Sequence, residues 1–457
     1  MAQKHGGVFT TLVDGFTASN TVPSENIGGL LFDIGKRENP FTGFSVAQSK
    51  LGNRQVVEIN ALEDLAELGI EKGLEAFMNG IPYYHIEKFF ALAGSGQRLF
   101  IMFADCSANF NAVEDIQVAA KGRIFQLGIW TEQEMFKKSG NDYVLNDWIA
   151  TVQTQAEKLG GRIIKQGENY VNYDGNAQLS VLINANPGYI TDGDNAIKVI
   201  DITKLPNAIS DMPYVSLMIG QESSVDIHNM QLKNINQCPV GNIGLALGVL
   251  AVAPVEYSIG YVANFNLYRA CPSAELGFGD LTTTGSGATL AWAASASFTH
   301  IDTLSYTKRS TQIVEKGYNM LTNYYDIENG VFFSSDSTLS SGDFESISRC
   351  RTMCKTRRLV RMALLPWTNA PLKVAATTGL LTASQITTIK NTVIGAIDNG
   401  MKDPNSSIDQ ICGRVVNIDA TQNVIKTHEL LIDYGIVPVA EARMIKVTGH
   451  FSLSTQS

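Results

Sequence analysis

The sequence predicts a mixed α/β (α+β) protein of more than one domain, and three observations carry that prediction. Between Ile27 and about Met230, short apolar runs alternate with helical stretches, the pattern of a layered domain with a partly parallel sheet. The chain has 457 residues, more than one compact core usually holds, so two or three domains are expected. From Ile411 to Leu453 helical periodicity gives way to three extended runs rich in Val, Ile and Thr: Gly413–Asp419, His428–Pro438 and Arg443–Leu453, punctuated by Asp419, Asn423 and Gly435.

In chain order, Gly7–Val13 reads as a short strand followed by a polar stretch, Asp14–Glu25, with little to bury. A strand on such an arm is poorly anchored unless another sheet accepts it. Strands are then expected at Gly29–Ile34, Gln55–Ile59, Arg98–Phe103, Arg123–Trp130, Leu179–Ile183 and Val215–Ile219. The helices between them are expected at Leu62–Asn79, Tyr83–Ala93, Trp148–Leu159 and Ala196–Lys204. The turn Gly94-Ser95-Gly96-Gln97-Arg98 joins helix to strand. A phosphate cradle needs strand, turn, helix, so this order counts against nucleotide binding.

The most apolar window, Ile243–Val255, is too short to span a membrane and reads as a buried strand or core helix. LTTTGSGATLAWAASASF follows as a loop leading into a strand or an insertion. Beyond it come a helix closing on Lys316-Gly317, a strand Tyr318–Tyr324, a turn at Glu328-Asn329-Gly330 and a strand Val331–Phe333. A long helix is expected over Phe344–Leu364, with Cys350, Met353, Val360 and Leu364 as its apolar stripe. Arg351, Lys355 and Arg358 fall opposite that stripe, whereas Arg357 lies within it and needs a buried partner or carbonyl. The basic face is expected to be solvated or to meet an acidic protein surface. A further helix, Ala383–Asn399, has Thr382 and Gln385 at capping-box spacing, Gly400 as a stop and Pro404 just beyond.

Composition narrows the function. Hydrophobic content of 44% with only 17% charged residues gives a large core and a lightly charged surface, which favours extensive subunit contacts. A net charge of −9 counts against broad nucleic-acid binding. Of the six cysteines only Cys350 and Cys354 are close, no second pair completes a metal site, and their arginine neighbours repel cations. They read as buried free thiols in a reducing cytoplasm. MAQKHGGVFTT lacks an apolar leader core, so a soluble protein made inside a cell is expected. The six histidines are scattered, neither HExxH nor GxSxG occurs, and Asp192-Gly193-Asp194-Asn195 is half of a calcium loop and reads as a polar turn. Glu63-Asp64 reads as a solvated pair. No catalytic, cofactor-binding or metal-ligating residue is expected.

Several of these segments resemble contractile tail sheath proteins. LLIDYGIVPVAEARMIKVTGHF is similar to the phrase that closes the conserved sheath domain. The strand at Gly7-Val8-Phe9 resembles the family's opening Pro-Gly-Val-Tyr, with Gly6-Gly7 replacing Pro-Gly. GIPYYHIEKFFALAGSGQRLFIMFA resembles the sheath helix that leads through a glycine turn into a buried strand. The segment from Ile301 to Trp367 follows the sheath order of elements, with Ser335-Asp336-Ser337-Thr338-Leu339 keeping only Thr-Leu of the usual Gly-Ala-Arg-Thr-Leu.

The resemblance covers about the last third of the chain. It implies a structural subunit, from a bacteriophage tail or related contractile injection system, that polymerises as stacked hexameric rings around an inner tube and contracts to drive the tube through an envelope. Residues 1–26 would be an arm and strand, 27–300 an outer α/β portion of one or two subdomains, and 301–457 the conserved domain, completed by the N-terminal segment. Val8, Phe9, Leu12 and Val13, with Met444, Ile445, Val447, Phe451 and Leu453, would exchange strands between subunits. Arg351, Lys355 and Arg358 would meet an acidic inner tube, with Ala383–Asn399 the alternative contact. The implied partners are further copies, the tube protein, and baseplate and terminator proteins. Nucleic acid would not be bound, and a membrane would be met only through a particle assembled in the bacterial cytoplasm. The rival reading is a cytoplasmic α/β enzyme or ligand-binding protein with an unrecognised site.

Overall fold

The computed structural model describes residues 25–38, 40, 56–140, 142–160, 163–166, 169–172, 177–186, 205–222, 224–235, 238–271, 314–322, 324, 327, 329–402, 409–443, 445 and 447. Its centre is one sheet built from β1 (Gly28–Asp33), β2 (Val56–Ile59), β3 (Leu99–Ala104), β4 (Gln126–Glu134), β9 (Ser180–Asn186), β10 (Val215–Ile219), β11 (Tyr318–Thr322) and β12 (Phe332–Phe333). Two hairpins, β5–β6 (Phe136–Ser139 and Asp142–Leu145) and β7–β8 (Ile163–Gln166 and Asn169–Asn172), lie between β4 and β9 in the chain. The eight strands run in the order β12-β11-β10-β9-β4-β1-β3-β2. Those from β3 to β11 are parallel, and β2 and β12 close the edges antiparallel. The parallel strands therefore stand in the order second, first, third, fourth, fifth, sixth. This is a doubly wound sheet that reverses direction beside β1. Runs such as GGLLFD, LFIMFA and VSLMI are buried along their whole length because both faces are covered.

Alternate residues feed two cores. Leu30, Phe32, Ile101, Phe103, Leu182 and Met218 face one layer, with α2 (Ile81–Ala93), preceded by the short α1 (Asp64–Glu67), and α6 (Ile243–Val252). Leu31, Met102, Ile129, Ile183, Leu217 and Met320 face the other, with α3 (Ala112–Ala119) and α4 (Asp147–Gly160). Another helix, α5 (Val225–Lys233), lies between β10 and α6 in the chain. Helices α2 and α6 pack unusually close. A Cβ on Gly244 would sit 2.2 Å from the carbonyl oxygen of His85. His85 is fully buried between them: Nδ1 accepts from Gly244 N (3.2 Å) and Nε2 donates to Val240 O (2.9 Å). Burial lowers its pKa to about 3, which keeps the ring neutral.

A smaller lobe follows, made of α7 (Ile347–Leu364), α8 (Ala383–Gly400), α9 (Val424–Thr427) and an antiparallel ribbon of β13 (Ile411–Asn417) and β14 (Asp433–Pro438). Its own core comprises Leu359, Val360, Val393, Ile397, Met401 and Val416, joined by Val255 from the segment after α6. Thr382 caps α8 as expected, accepting from Gln385 N (3.3 Å).

The structure corrects four expectations. Leu62–Asn79 is not one helix: beyond α1 only the 3₁₀ turn Phe77–Gly80 is helical, because Gly69 and Gly73 take positive φ and Met78 and Asn79 follow at φ 51° and 55°. The run starting at His428 becomes a strand only at Asp433, since Val424–Thr427 forms α9 with His428 in the left-handed region at its end. Gly400 is the last residue of α8 rather than the one beyond its end, and a Cβ there would come 2.4 Å from Leu359 side-chain carbons. The boundary expected at residue 300 falls inside one sheet, because β11 pairs with β10 (Leu217 opposite Tyr318). The helix expected at Ala196–Lys204 lies outside the described residues.

Gly244→Ala should therefore destabilise the protein by about 2 kcal/mol or more, since the clash is with backbone that cannot step aside. Urea unfolding is the check: the midpoint should fall with the slope unchanged.

Candidate assembly interface

Helix α7 starts at Ser346, whose hydroxyl accepts from Arg349 N (3.2 Å). The cations expected to form its outer face instead point inward. Arg351 is 0% exposed and donates to the carbonyl oxygens of Leu250 (2.9 Å), Ala253 (2.9 Å) and Pro254 (3.1 Å), closing the C-terminal end of α6. Lys355 is buried too, bonded to Gln410 Oε1 (2.8 Å) with Glu25 Oε1 at 3.6 Å. Arg358 donates to Ile124 O (3.2 Å) and Gln178 O (2.9 Å), with its guanidinium carbon 3.4 Å from the centre of the Phe125 ring. Burial pushes both arginine pKa values down to about 10, so each stays charged. Arg357 reaches Gln178 Oε1 (2.9 Å), the polar partner its position demanded. Arg351, Lys355 and Arg358 therefore do not form an exposed tube-facing surface. They are consumed inside the chain, because α7 is packed on nearly every side.

The ribbon β13–β14 is the exposed feature of this lobe. Arg414 and Val416 face α8, Arg414 pairing with Asp398 and Val416 buried among Val393 and Ile397. The other face carries Val415 opposite Gly435 and Val437 opposite Gly413, with the two valines 52% and 56% exposed. Among the described residues no strand pairs with either outer edge of the ribbon. Among the described residues, six of the thirteen exposed large apolar side chains lie between Val415 and Val447, so outward stickiness is concentrated here. Ile445 and Val447 are 79% and 86% exposed and not in a strand. Val8, Phe9, Leu12, Val13, Met444, Phe451 and Leu453 lie outside the described residues.

Sequence reading missed an acid pair beside this segment. Asp336 and Glu441 meet at the start of α7: Ser348 Oγ lies 2.8 Å from Asp336 Oδ2 and 2.5 Å from Glu441 Oε1. Burial and the neighbouring Asp336 raise the Glu441 pKa to about 7, against the milder pull of the Ser348 hydroxyl and then of Arg443 and Arg349. These residues are too far apart in sequence for any local signal to pair them.

The rival reading would place a ligand at the carboxyl ends of the strands beside β1, where a doubly wound sheet reverses. Protein groups fill that place. Asp33 Oδ1 accepts from Gly35 N (3.1 Å) and Cys106 N (3.0 Å), and Oδ2 from Thr131 Oγ1 (2.6 Å) and Gln133 Nε2 (2.9 Å). Above it Arg37 makes a bidentate pair with Glu132 (2.8 and 2.9 Å), strapping the loop after β1 to β4. The described cysteines are free thiols, and five of the six are buried. Among the described residues no group of His, Cys, Asp and Glu is placed to hold a metal, and no helix is long and apolar enough to cross a membrane.

No protein-family model and no curated protein matches the sequence. Solved structures do. The helical sheath of the anti-feeding prophage in its contracted state aligns with a TM-score of 0.51 at 13% identity, covering 99% of this chain and 100% of that one. The chain has the fold of a contractile sheath subunit. A chain of the anti-feeding prophage baseplate aligns equally well, TM-score 0.51 at 12% identity, over 99% of this chain and 100% of that one. In sheath-fold terms the match spans the sheet, the small lobe and the segments between them, well beyond the last third that resembled the family in sequence.

Two outcomes follow. Arg351→Ala should cost about 3 kcal/mol or more, since it strands buried carbonyls at the end of α6; denaturant unfolding is the check, with Arg361→Ala on the exposed turn as the near-neutral comparison. Glu441, an acid with its pKa raised on folding, contributes stability that is complete below its unfolded pKa and lost as pH rises through about 7. Hydrogen exchange around residues 438–443, corrected for intrinsic rate, should show protection falling across that window, and Glu441→Gln should flatten the dependence.

Proposed function

We propose that the chain is a structural subunit of a contractile sheath, in a phage tail or injection particle assembled in the bacterial cytoplasm. It polymerises as stacked hexameric rings around an inner tube and contracts to drive that tube through an envelope. The single observation that carries the reading is the alignment of essentially the whole chain, rather than one sheet, with a contracted sheath subunit. The ribbon supports it: a two-stranded sheet with open edges and an exposed apolar face suits strand addition by a neighbour. Val8, Phe9, Leu12 and Val13, with Met444, Ile445, Val447, Phe451 and Leu453, are the segments we assign to that exchange. With Arg351, Lys355 and Arg358 buried, the exposed face of α8, including Thr387, Thr388 and Asn391, becomes the candidate tube contact. Baseplate and terminator proteins would bound the polymer, and a membrane would be met only by the finished particle.

Contraction on this reading moves rigid subunits. An extended lattice held kinetically can fall to a more stable one when bodies linked by arms rotate into new contacts. Such contacts are heterologous and do not close on themselves.

Electron microscopy of the expressed protein tests the reading directly: tubes or rings are expected, and a uniform monomer would refute it. Deleting residues 1–20 should leave a folded protein that no longer forms tubes. Expressed without its tube, the full chain should polymerise in the contracted form.

A further inference from the structure

A cleft of about 410 Å³ opens where the C-terminal ends of α3, α4 and α7 meet. Four cations line it, Lys121, Arg123, Arg358 and Arg361, and none of the described residues that line it is Asp or Glu. Two of the four are already engaged. Arg358 is buried and fixed by the Ile124 and Gln178 carbonyls, yet its Nε has no hydrogen-bond partner among the described residues. Arg123 donates from Nε to Ala120 O (2.9 Å) and lies 3.7 Å from Glu58 Oε2.

The other two, Lys121 and Arg361, are exposed, and their side chains make no ion pair among the described residues. Lys121 is also held at φ 54°, and Gly122 at φ 71°, a pairing of left-handed residues that aims this corner of the chain. Val118, 53% exposed, and Met362 give the cleft an apolar wall. Positive charge only partly offset, by Glu58 beside Arg123 and Glu25 near Arg358, on a chain whose net charge is −9, favours an acidic partner.

The same chain presents one. Glu63, Glu67 and Glu71 are exposed around α1, and their carboxylates make no ion pair among the described residues. We propose that the basic cleft receives the acidic ridge Glu63–Glu67–Glu71 of a second copy of this chain. The proposal rests on the sheath reading in taking a further copy as the partner. Cleft and ridge are different patches, so their union is heterologous and leaves a free cleft and a free ridge at every step, the geometry of an open polymer. Arg358 supplies the floor of the site, while Lys121 and Arg361 steer and clamp the incoming carboxylates.

The test is a charge swap followed by sedimentation velocity at low and high salt. Lys121→Glu with Arg361→Glu, and separately Glu63→Lys with Glu67→Lys and Glu71→Lys, should melt like wild type, because exposed charges contribute little to stability. Each set should raise the concentration needed for assembly on the order of tenfold or more. Carrying both sets on one chain should restore assembly, and wild-type assembly should weaken as salt screens the contact. If wild type forms tubes and the cleft reversal forms them equally well, the cleft plays no part and the proposal falls while the sheath reading stands. If both sets are defective but their combination is not restored, the ridge is not the occupant and the proposal is overturned. If wild type does not self-associate at any salt, the sheath reading and this proposal fall together.

Discussion

The architecture depends on how α6 ends. Ile243–Val252 is apolar around its whole circumference and buried almost throughout, so it offers no side chain of its own to its last carbonyl groups. Unpaired carbonyls in such a place are costly, and α6 cannot lie where it does without an imported donor. Arg351 is that donor. Its guanidinium serves three carbonyls at once, a task suited to its planar fork and impossible for a single ammonium group held in one position. The charge is offset at a distance by Glu25 and Glu256. Two further positions along α7, Lys355 and Arg358, tie the same helix to Gln410, Glu25 and the starts of β4 and β9. The base of the N-terminal arm, the core helix, the sheet and the ribbon lobe therefore converge on one basic helix.

That convergence explains what the sequence made legible and what it did not. Continuous apolar runs identified the parallel strands because both of their faces are buried, so no partial exposure blurs the signal; Val215–Ile219 was located to the residue. The order of helix, glycine turn and strand at Gly94–Arg98 was legible too, with α2 ending at Ala93 and β3 beginning at Leu99. Periodicity also grouped Arg351, Lys355 and Arg358 correctly on one side of α7. It could not say that this side faces inward, because periodicity reports which residues share a face and assumes that charge faces water. Only the carbonyl groups of residues about 100 positions earlier in the chain resolve the matter. The Asp336–Glu441 pair and the Asp33 network were invisible for the same reason: their partners are brought together by the fold alone.

The two lobes are stabilised in different ways. The large sheet buries most of its apolar side chains completely, and the turns around it are closed by its own hydrogen bonds. Among the described residues the ribbon rests on α8 and α7 through a core of seven buried residues, and its outer face is left to valines opposite glycines. A lone two-stranded ribbon is marginal in water. Strands added by neighbours would complete the hydrogen bonding of its edges, so ribbon order and polymer order are coupled on the proposed reading.

The filled switch point bears on how a subunit of this fold would move. In a doubly wound protein the crevice beside the first strand is commonly where a ligand enters and where closure occurs. Here Asp33 is saturated by four donors from three strand ends and their loops, and Arg37 and Glu132 bridge the rim above it. A space occupied by satisfied polar groups offers no hinge, and the dense layers on either side transmit displacement without absorbing it. Conformational change is then directed to the described part least committed to a core, the ribbon. On the proposed reading, a subunit built this way exchanges one set of neighbours' contacts for another without refolding. The free energy of contraction would then reside in the lattice contacts, and the sheet would act as the rigid body that carries them.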